Sequence, residues 1–383
     1  MKGIKMFEFV VPKINYFGEN SIESLKTILN NKELKKGLII TDNVLDRLGY
    51  TSVIKDILSE VNVGVGIFNE VEPNPSKEMV YKALNCYKEG NYDFIIGLGG
   101  GSPNDVSKAV SVLATNNVKL EDLVGPNKSE LKGAYLILIN TTAGTASEIS
   151  RAYLISDNEN QEKLIMKDIH ALADVSINDT NLMLKLPPNI TAATGMDALT
   201  HALEAYVSNG SYNLTREMAI SAIYLIFNNL ENAVKDGNDI EARNNMIYAQ
   251  TLAGMAFCNS GVGLVHAMSH QLSSVFNLPH GLSNAILLPY VMKENAKYVQ
   301  VDYSQIAKRV FYVNEENCNY EYLINQVNSL SEKIGTKLKL SDLGVKEEDL
   351  ELLAEKTLRD GNIYRNPFMP TMEEVVSIFE NAL

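Results

Sequence analysis

The histidines of this chain cluster in its C-terminal half and repeat at the spacing of a helix. Four of the five histidines lie beyond residue 200. Asp197 and His201 are four residues apart, a step that returns a helix to the same face. His266 and His270 repeat this step, and His280 follows shortly afterwards. These side chains could therefore meet around one metal ion.

The type of donor indicates a transition metal. Three imidazoles and one carboxylate suit Fe²⁺, Zn²⁺ or Mn²⁺ better than Ca²⁺ or Mg²⁺, which prefer oxygen ligands. A lone histidine is more often a packed core residue, but four histidines with Asp197 favour a metal site. Glu204 lies close behind His201 on the same predicted helix. Because a catalytic metal needs an open coordination position, we expect Glu204 to support the site without binding the metal. His170 lies outside the cluster, and we expect it to be an ordinary residue.

Three consecutive glycines follow an apolar strand in the N-terminal half. Residues 93–98 form the predicted strand, and Gly99–Gly101 connect it to a predicted helix. Such a turn lets backbone N–H groups approach a phosphate, and the helix dipole favours the anion. The spacing is not G-x-G-x-x-G because residue 102 is Ser102, so a tight turn without a ligand is the alternative. Asp105 and Lys108 follow one helical step apart, and a surface ion pair is their alternative role.

Two further polar segments follow predicted strands. Residues 140–148 carry hydroxyl and amide groups where parallel sheets bind ligands. A helix N-terminus with Thr145 and Glu148 as a capping box is the alternative interpretation. Asp42 ends another strand, where its carboxylate could accept from ribose hydroxyls or simply open a turn.

The elements that would position these groups differ between the two halves. Apolar β-branched runs alternate with amphipathic stretches in the first half, which is typical of a parallel sheet covered by helices. From residue 191 onward the apolar positions recur every three or four residues, which indicates helices. Pro187 begins a double proline at this change. The sequence therefore predicts an α/β dinucleotide-binding domain with a parallel sheet over residues 1–186 and an all-helical metal and substrate domain over residues 187–383. The segments on which this prediction depends are helices at Ser21 to Leu29, Lys77 to Glu89, Pro103 to Thr115, Arg216 to Val234 and Glu241 to Asn259, and strands at Gly37 to Thr41, Asp93 to Leu98 and Ala134 to Asn140.

Composition excludes several classes of protein. A net charge of −13 repels nucleic-acid backbones and anionic lipid, so we expect no nucleic-acid partner. The chain has no long uncharged apolar run, so we expect no membrane span or secretion signal. Three widely separated cysteines offer neither a disulfide framework nor a cysteine zinc site, which favours the cytoplasm.

Four motifs together resemble the iron-containing (group III) alcohol dehydrogenases. They are GGGSPNDVSK, TTAGTASE, GMDALTHALEAY and the stretch from His266 to Gly281. The similarity covers nearly the whole chain. Within the family, the motifs most resemble those of the lactaldehyde reductase, 1,3-propanediol dehydrogenase and butanol dehydrogenase subfamilies. It implies hydride transfer between a nicotinamide cofactor and a small primary alcohol, diol or aldehyde. A glycerol-dehydrogenase-like or dehydroquinate-synthase-like relative, a metal-dependent hydrolase and an inactive metal-binding protein are the alternatives.

The resemblance also implies a role for individual residues. The metal ligands would be Asp197, His201, His266 and His280, with iron as the expected metal. The cofactor would be bound by Asp42, Gly99, Gly100, Gly101, Ser102, Asp105, Thr141, Thr142 and Thr145. His270 would lie near the nicotinamide as a candidate proton relay. The substrate pocket would include Ala152, Phe257 and Val262, although core packing is the ordinary role of the last two.

Three further expectations concern the cofactor, the assembly and the substrate. We expect NAD(H) rather than NADP(H), because the Asp42 carboxylate would repel a 2′-phosphate. We also expect a homodimer or a larger homo-oligomer. Ala173, Asn362 and Phe368 depart from the family pattern at positions expected to border the cleft, which leaves the substrate open.

Overall fold

The computed structural model describes residues 6–30, 32–160, 162–314 and 318–383. Its strands are β1 (Ile14–Phe17), β2 (Lys36–Ile40), β3 (Gly64–Phe68), β4 (Phe94–Gly99), β5 (Gly125–Pro126), β6 (Tyr135–Asn140), β7 (Ala152–Asp157), β8 (Glu162–Lys167) and β9 (Val175–Asn178). Its α-helices are α1 (Ser24–Asn30), α2 (Asn43–Arg47), α3 (Tyr50–Ser59), α4 (Lys77–Glu89), α5 (Gly101–Thr115), α6 (Pro188–Val207), α7 (Asn213–Lys235), α8 (Ile240–Ser260), α9 (Leu264–Phe276), α10 (His280–Phe311), α11 (Tyr320–Lys333), α12 (Leu350–Arg359) and α13 (Met372–Ala382).

Six of the described strands form one parallel sheet. Their order is β1-β9-β6-β4-β2-β3, and every neighbouring pair runs parallel. Leu38, Ile39 and Ile40 show why consecutive apolar residues suit this sheet, because all three are fully buried. Leu38 and Ile40 pack into the core on one face, and Ile39 packs into the core on the other.

The sheet brings the two predicted polar loops side by side. Strands β4 and β6 are neighbours, and Gly99 pairs with Asn140 at their carboxyl ends. Thr141 donates its backbone N–H to the carbonyl of Gly99 at 3.1 Å. The glycine turn and the loop after β6 therefore share one edge of the sheet.

A small second sheet, absent from the sequence-based prediction, lies between the two halves. Strands β7 and β8 form an antiparallel hairpin in which Ala152 pairs with Lys167, and β5 pairs with β8. Several side chains of the hairpin face the cavity described below.

The chain from residue 188 onward is helical. Helix α6 is buried from Gly195 to Val207 and packs against α7, α8 and α10. The predicted fold class, a parallel α/β part followed by a helical part, is confirmed. The division at residue 186 falls between the end of β9 and the start of α6 and stays a prediction. Within the described ranges, no helix is both long and apolar enough to cross a membrane.

Candidate active site

A cavity of about 300 Å³ lies between the sheet edge, the β7–β8 hairpin and the helical half. Its walls include the start of α5 from one half and residues of α6, α9 and α10 from the other. The predicted site residues that line it are Gly101, Ser102, Asp105, Thr145, Ala152, Asp197, His201, Phe257, Val262, His266, His270 and His280. Residues that were assigned separate chemical roles therefore surround one space.

The four predicted metal ligands come together on one side of this cavity. One potential ligand atom from each of Asp197, His201 and His266 lies within 4.8 Å of the other two. Nε2 of His280 lies 3.6 Å from Oδ1 of Asp197. The four-residue spacing on α6 supplies two of these groups, while α9 and the first residue of α10 supply the others.

The electrostatic setting of this cluster fits a bound divalent cation. Asp197 is buried among imidazoles, and Nδ1 of His201 is buried without a hydrogen-bond partner among the described residues. Burial lowers the pKa of both His266 and His280 well below the usual histidine value. Neutral imidazole is the form that coordinates a metal, so the cluster is ready to bind one.

Asn284 is a member of the cluster that sequence analysis missed. Its Nδ2 donates to Oδ1 of Asp197 at 2.7 Å and lies 3.2 Å from Nε2 of His280. The same atom lies 3.4 Å from Nε2 of His266. The four-residue step from His280 to Asn284 on α10 is the signal that could have identified it.

Glu204 holds the start of α9 against α6. Its carboxylate accepts the backbone N–H groups of Gly263 at 2.8 Å and Val265 at 2.6 Å. Oε2 of Glu204 also lies 2.6 Å from Nδ1 of His266. Burial raises the pKa of Glu204 to about 7, which the backbone N–H groups of α9 oppose. Glu204 thus orients His266 through the nitrogen that faces away from Asp197, as we expected of a supporting residue.

The glycine turn allows two loops to approach closely. A side chain at Gly100 would place its Cβ 2.9 Å from Oγ1 of Thr142, so only glycine fits without displacement. Helix α5 begins at Gly101, and Gly101 and Ser102 line the cavity. The N-terminus of α5 is therefore directed at the space where an anionic group would be favoured.

The alternative of a surface ion pair for Asp105 and Lys108 is wrong. Lys108 is fully buried, and its Nζ donates to Oγ of Ser147 at 2.8 Å and to the carbonyl of Ala152 at 2.7 Å. Asp105 accepts from Oγ of Ser147 at 2.6 Å and from the N–H of Leu154 at 2.9 Å. The pair is buried because strand β7 packs over helix α5. Its hydrogen bonds connect α5 to β7 and to the 3₁₀ turn that begins at Ser147.

The alternative of a capping box at Thr145 and Glu148 is also wrong. Only a short 3₁₀ turn forms at Ser147–Ile149, because Ala146 adopts a left-handed backbone conformation with φ of 49°. The Glu148 carboxylate is buried and accepts from Nε2 of Gln250 at 2.7 Å, and the turn has no side-chain cap. Thr145 is left to line the cavity.

Asp42 lies at the carboxyl end of β2, away from the cavity. Its Oδ1 accepts the N–H groups of Val44 at 2.8 Å and Leu45 at 2.9 Å and so caps α2. The turn-opening role weighed from the sequence is therefore present, and the ribose-binding role stays a prediction. Like Asp42, the remaining predicted cofactor residues lie at the sheet edge and outside the cavity lining: Gly99, Gly100, Thr141 and Thr142.

Of the three departures from the family pattern, only Asn362 lines the cavity. The expectation that Ala173 and Phe368 border the cleft is wrong in the described residues. Ala173 is buried in a sheet core just before β9 begins, at the opposite end of that strand from the site. The Phe368 ring stacks on Tyr298, with ring centroids 4.3 Å apart.

Several cavity residues gave no signal in the sequence. Nζ of Lys163 donates to Oδ1 of Asn74 at 2.9 Å and to Oγ of Ser156 at 2.8 Å, and burial lowers its pKa to about 8. Lys167 and Cys258 also line the cavity. The hairpin brings both lysines to the site, and an isolated lysine in a sequence carries no sign of such a position.

Comparison with known proteins agrees with this geometry. Residues 12–180 match the family model for iron-containing alcohol dehydrogenases, and residues 191–383 match the model for the C-terminal part of the Fe-containing alcohol dehydrogenase family. Alcohol dehydrogenase 4 of Saccharomyces cerevisiae is 39% identical over 374 residues, which cover 98% of each chain. The NAD-dependent methanol dehydrogenase of Bacillus methanolicus is 35% identical over 99% of this chain and 100% of its own.

Solved structures give the same result. The crystal structure of a 1,3-propanediol oxidoreductase superposes with a TM-score of 0.95 at 38% identity, covering 99% of this chain and 100% of the other. The resemblance inferred from the four motifs is thereby confirmed. The chain belongs to the iron-containing alcohol dehydrogenase family.

Proposed function

We propose that this protein is a metal-dependent, NAD(H)-linked dehydrogenase that interconverts a small primary alcohol or diol and its aldehyde. One observation carries the proposal. A single cavity is lined by the N-terminus of α5, which suits a phosphate-bearing cofactor, and by a buried cluster of imidazole and carboxylate groups that suits a metal.

Different residues of the cavity would bind the metal, the cofactor and the substrate. A bound divalent metal would supply Lewis-acid chemistry at the substrate oxygen, and a bound nicotinamide would accept or donate the hydride. Asp197, His201, His266 and His280 would hold the metal, and Gly101, Ser102 and Thr145 would hold the dinucleotide on the opposite wall. Phe257 and Val262 would exclude water from the substrate, and His270 would relay the alcohol proton.

Five finer points belong to the same proposal. Iron is the proposed metal, and the family match supports it. NAD(H) is preferred over NADP(H), which the position of Asp42 and the NAD-dependent relative support. The active form is a homo-oligomer in the cytoplasm, where three separate free cysteines are compatible with reducing conditions. The chain folds as two domains that meet near Pro187.

An alcohol and aldehyde panel, assayed with NAD(H) and NADP(H) after anaerobic loading with Fe²⁺, tests the proposal. We expect turnover of small primary alcohols, diols or aldehydes with NAD(H), and none after chelation of the metal. Faster turnover of glycerol than of primary alcohols would favour the glycerol-dehydrogenase-like alternative. Failure to bind NADH by fluorescence would contradict the proposal and favour a hydrolase.

A further inference from the structure

The second histidine of α9 is held by a carboxylate from a distant part of the chain. Nδ1 of His270 lies 2.8 Å from Oδ2 of Asp360, and both side chains are buried. The other oxygen, Oδ1, accepts the backbone N–H of Asn362 at 2.8 Å. Both carboxylate oxygens are therefore engaged, which fixes the carboxylate relative to the imidazole.

This contact decides which ring nitrogen carries the proton. A carboxylate only accepts hydrogen bonds, so Nδ1 of His270 is the donor. In a neutral imidazole the other nitrogen then has a free lone pair. His270 lines the cavity while its Nδ1 is turned to Asp360, so Nε2 is the nitrogen available to a group in the cavity.

The segment that carries Asp360 also contacts the start of the same helix. Asp360 opens a short turn at Gly361–Arg365, and Asn366 follows directly. Oδ1 of Asn366 accepts the N–H of Leu264, the first residue of α9, at 3.2 Å. The backbone and the histidine of α9 are thus both anchored to one segment, which leaves the imidazole little freedom to rotate.

We propose that Asp360 is a positioning residue that keeps His270 in the tautomer with an unprotonated Nε2 facing the cavity. The proposal rests on the proposed function, in which His270 relays the alcohol proton. In alcohol oxidation the substrate O–H bond breaks and an Nε2–H bond forms on His270, and in aldehyde reduction the same proton returns. Asp360 takes up no proton and acts only through the ring that it orients.

Kinetics of Asp360→Asn test this role, because asparagine still caps the turn but lacks the charge. We expect kcat to fall about 10-fold to 100-fold, less than the full 10² to 10⁴-fold or so of acid–base assistance because His270 itself remains, while KM for NAD stays unchanged. Asp239→Asn, which alters the cap of α8, is the matched control and should leave kcat unchanged. In a His270→Phe background, Asp360→Asn should cause no further loss. An unchanged kcat for Asp360→Asn, or a full additional loss in the His270→Phe background, overturns the proposal.

The tautomer itself is measurable by NMR of ¹⁵N-histidine-labelled protein with Zn²⁺ added, and His270→Phe assigns the resonance. We expect Nδ1 of His270 to be protonated in the wild type and the population to move toward Nε2–H in Asp360→Asn. Protonation at Nε2 in the neutral wild-type ring contradicts the proposal even if the enzyme is active. An inactive wild type with the expected tautomer would instead refute the proposed function. If Asp360→Asn does not fold, the wild-type spectrum alone decides.

Discussion

The two walls of the cavity are built in different ways. The helical wall presents titratable side chains at fixed steps on helices, such as Asp197 and His201 on α6. The α/β wall presents backbone at the start of α5, small residues and hydroxyl groups such as Thr145. For the proposed function this difference means that metal binding would depend on which side chains are present, while dinucleotide binding would depend on how closely the backbone can approach. Substitutions in the two walls should therefore affect different properties of the protein.

Removing a proposed ligand side chain from the helical wall should cause the largest loss of activity. His280→Ala removes a proposed ligand, and loss of Lewis-acid assistance worth several kcal/mol should reduce kcat/KM by about 10⁴-fold or more. Metal analysis should show depleted metal, while circular dichroism should show a folded protein. His170→Ala, outside the cluster, should retain both metal and activity. Full metal occupancy in His280→Ala would remove it from the ligand set.

Behind the α/β wall, loss of the buried charge of Lys108 should lower the free energy of unfolding. Lys108→Met leaves the largely buried Asp105 and the buried Ser147 without their cation, and breaking a buried ion pair costs about 3 to 5 kcal/mol. Urea unfolding should show this loss. Lys132→Met, which breaks an exposed pair with Asp174, should cost at most about 1 kcal/mol. Equal effects of the two substitutions would show that burial of Lys108 does not matter to stability.

Changing a residue that orients a proposed ligand should lower metal affinity by a smaller amount than removing the ligand. Glu204→Gln keeps the shape of the side chain but removes the charge that orients His266, and such partners change metal affinity by about 10-fold to 100-fold. Competition with a chelator measures this affinity. Glu217→Gln, which breaks only a surface contact with Arg309, is the control and should bind metal like the wild type.

The smallest effect on activity is expected at Asp42, which lies in the α/β half but outside the cavity lining. Asp42→Gly removes a half-buried carboxylate and should narrow the preference for NAD over NADP by on the order of 1 kcal/mol, the scale of partly exposed charge contacts. The ratio of kcat/KM for the two cofactors reports it. A wild type that prefers NADPH would contradict the assigned role of Asp42.

Features that depend on local sequence patterns could be predicted, whereas features that depend on contacts between distant residues could not. The apolar run at 37–41, the step from Asp197 to His201 and the histidines that follow Leu264 are local patterns, so the parallel sheet and the members of the proposed metal cluster were predictable. The pair of His270 and Asp360 is separated by 90 residues and has no periodic relation. Lys108 resembles a surface lysine in sequence because its burial depends on β7, which packs from 44 residues away.

The central claim is that the two walls serve one reaction in one cavity. A crystal structure of protein prepared anaerobically with Fe²⁺ and NADH, with anomalous diffraction at the iron edge, tests it most directly. We expect one iron within about 2.0 to 2.2 Å of Asp197 and of nitrogens from His201, His266 and His280, as for other divalent sites. The nicotinamide should lie across the cavity from it, on the side of Gly101. Iron bound elsewhere, or a nicotinamide outside the cavity, would contradict the account.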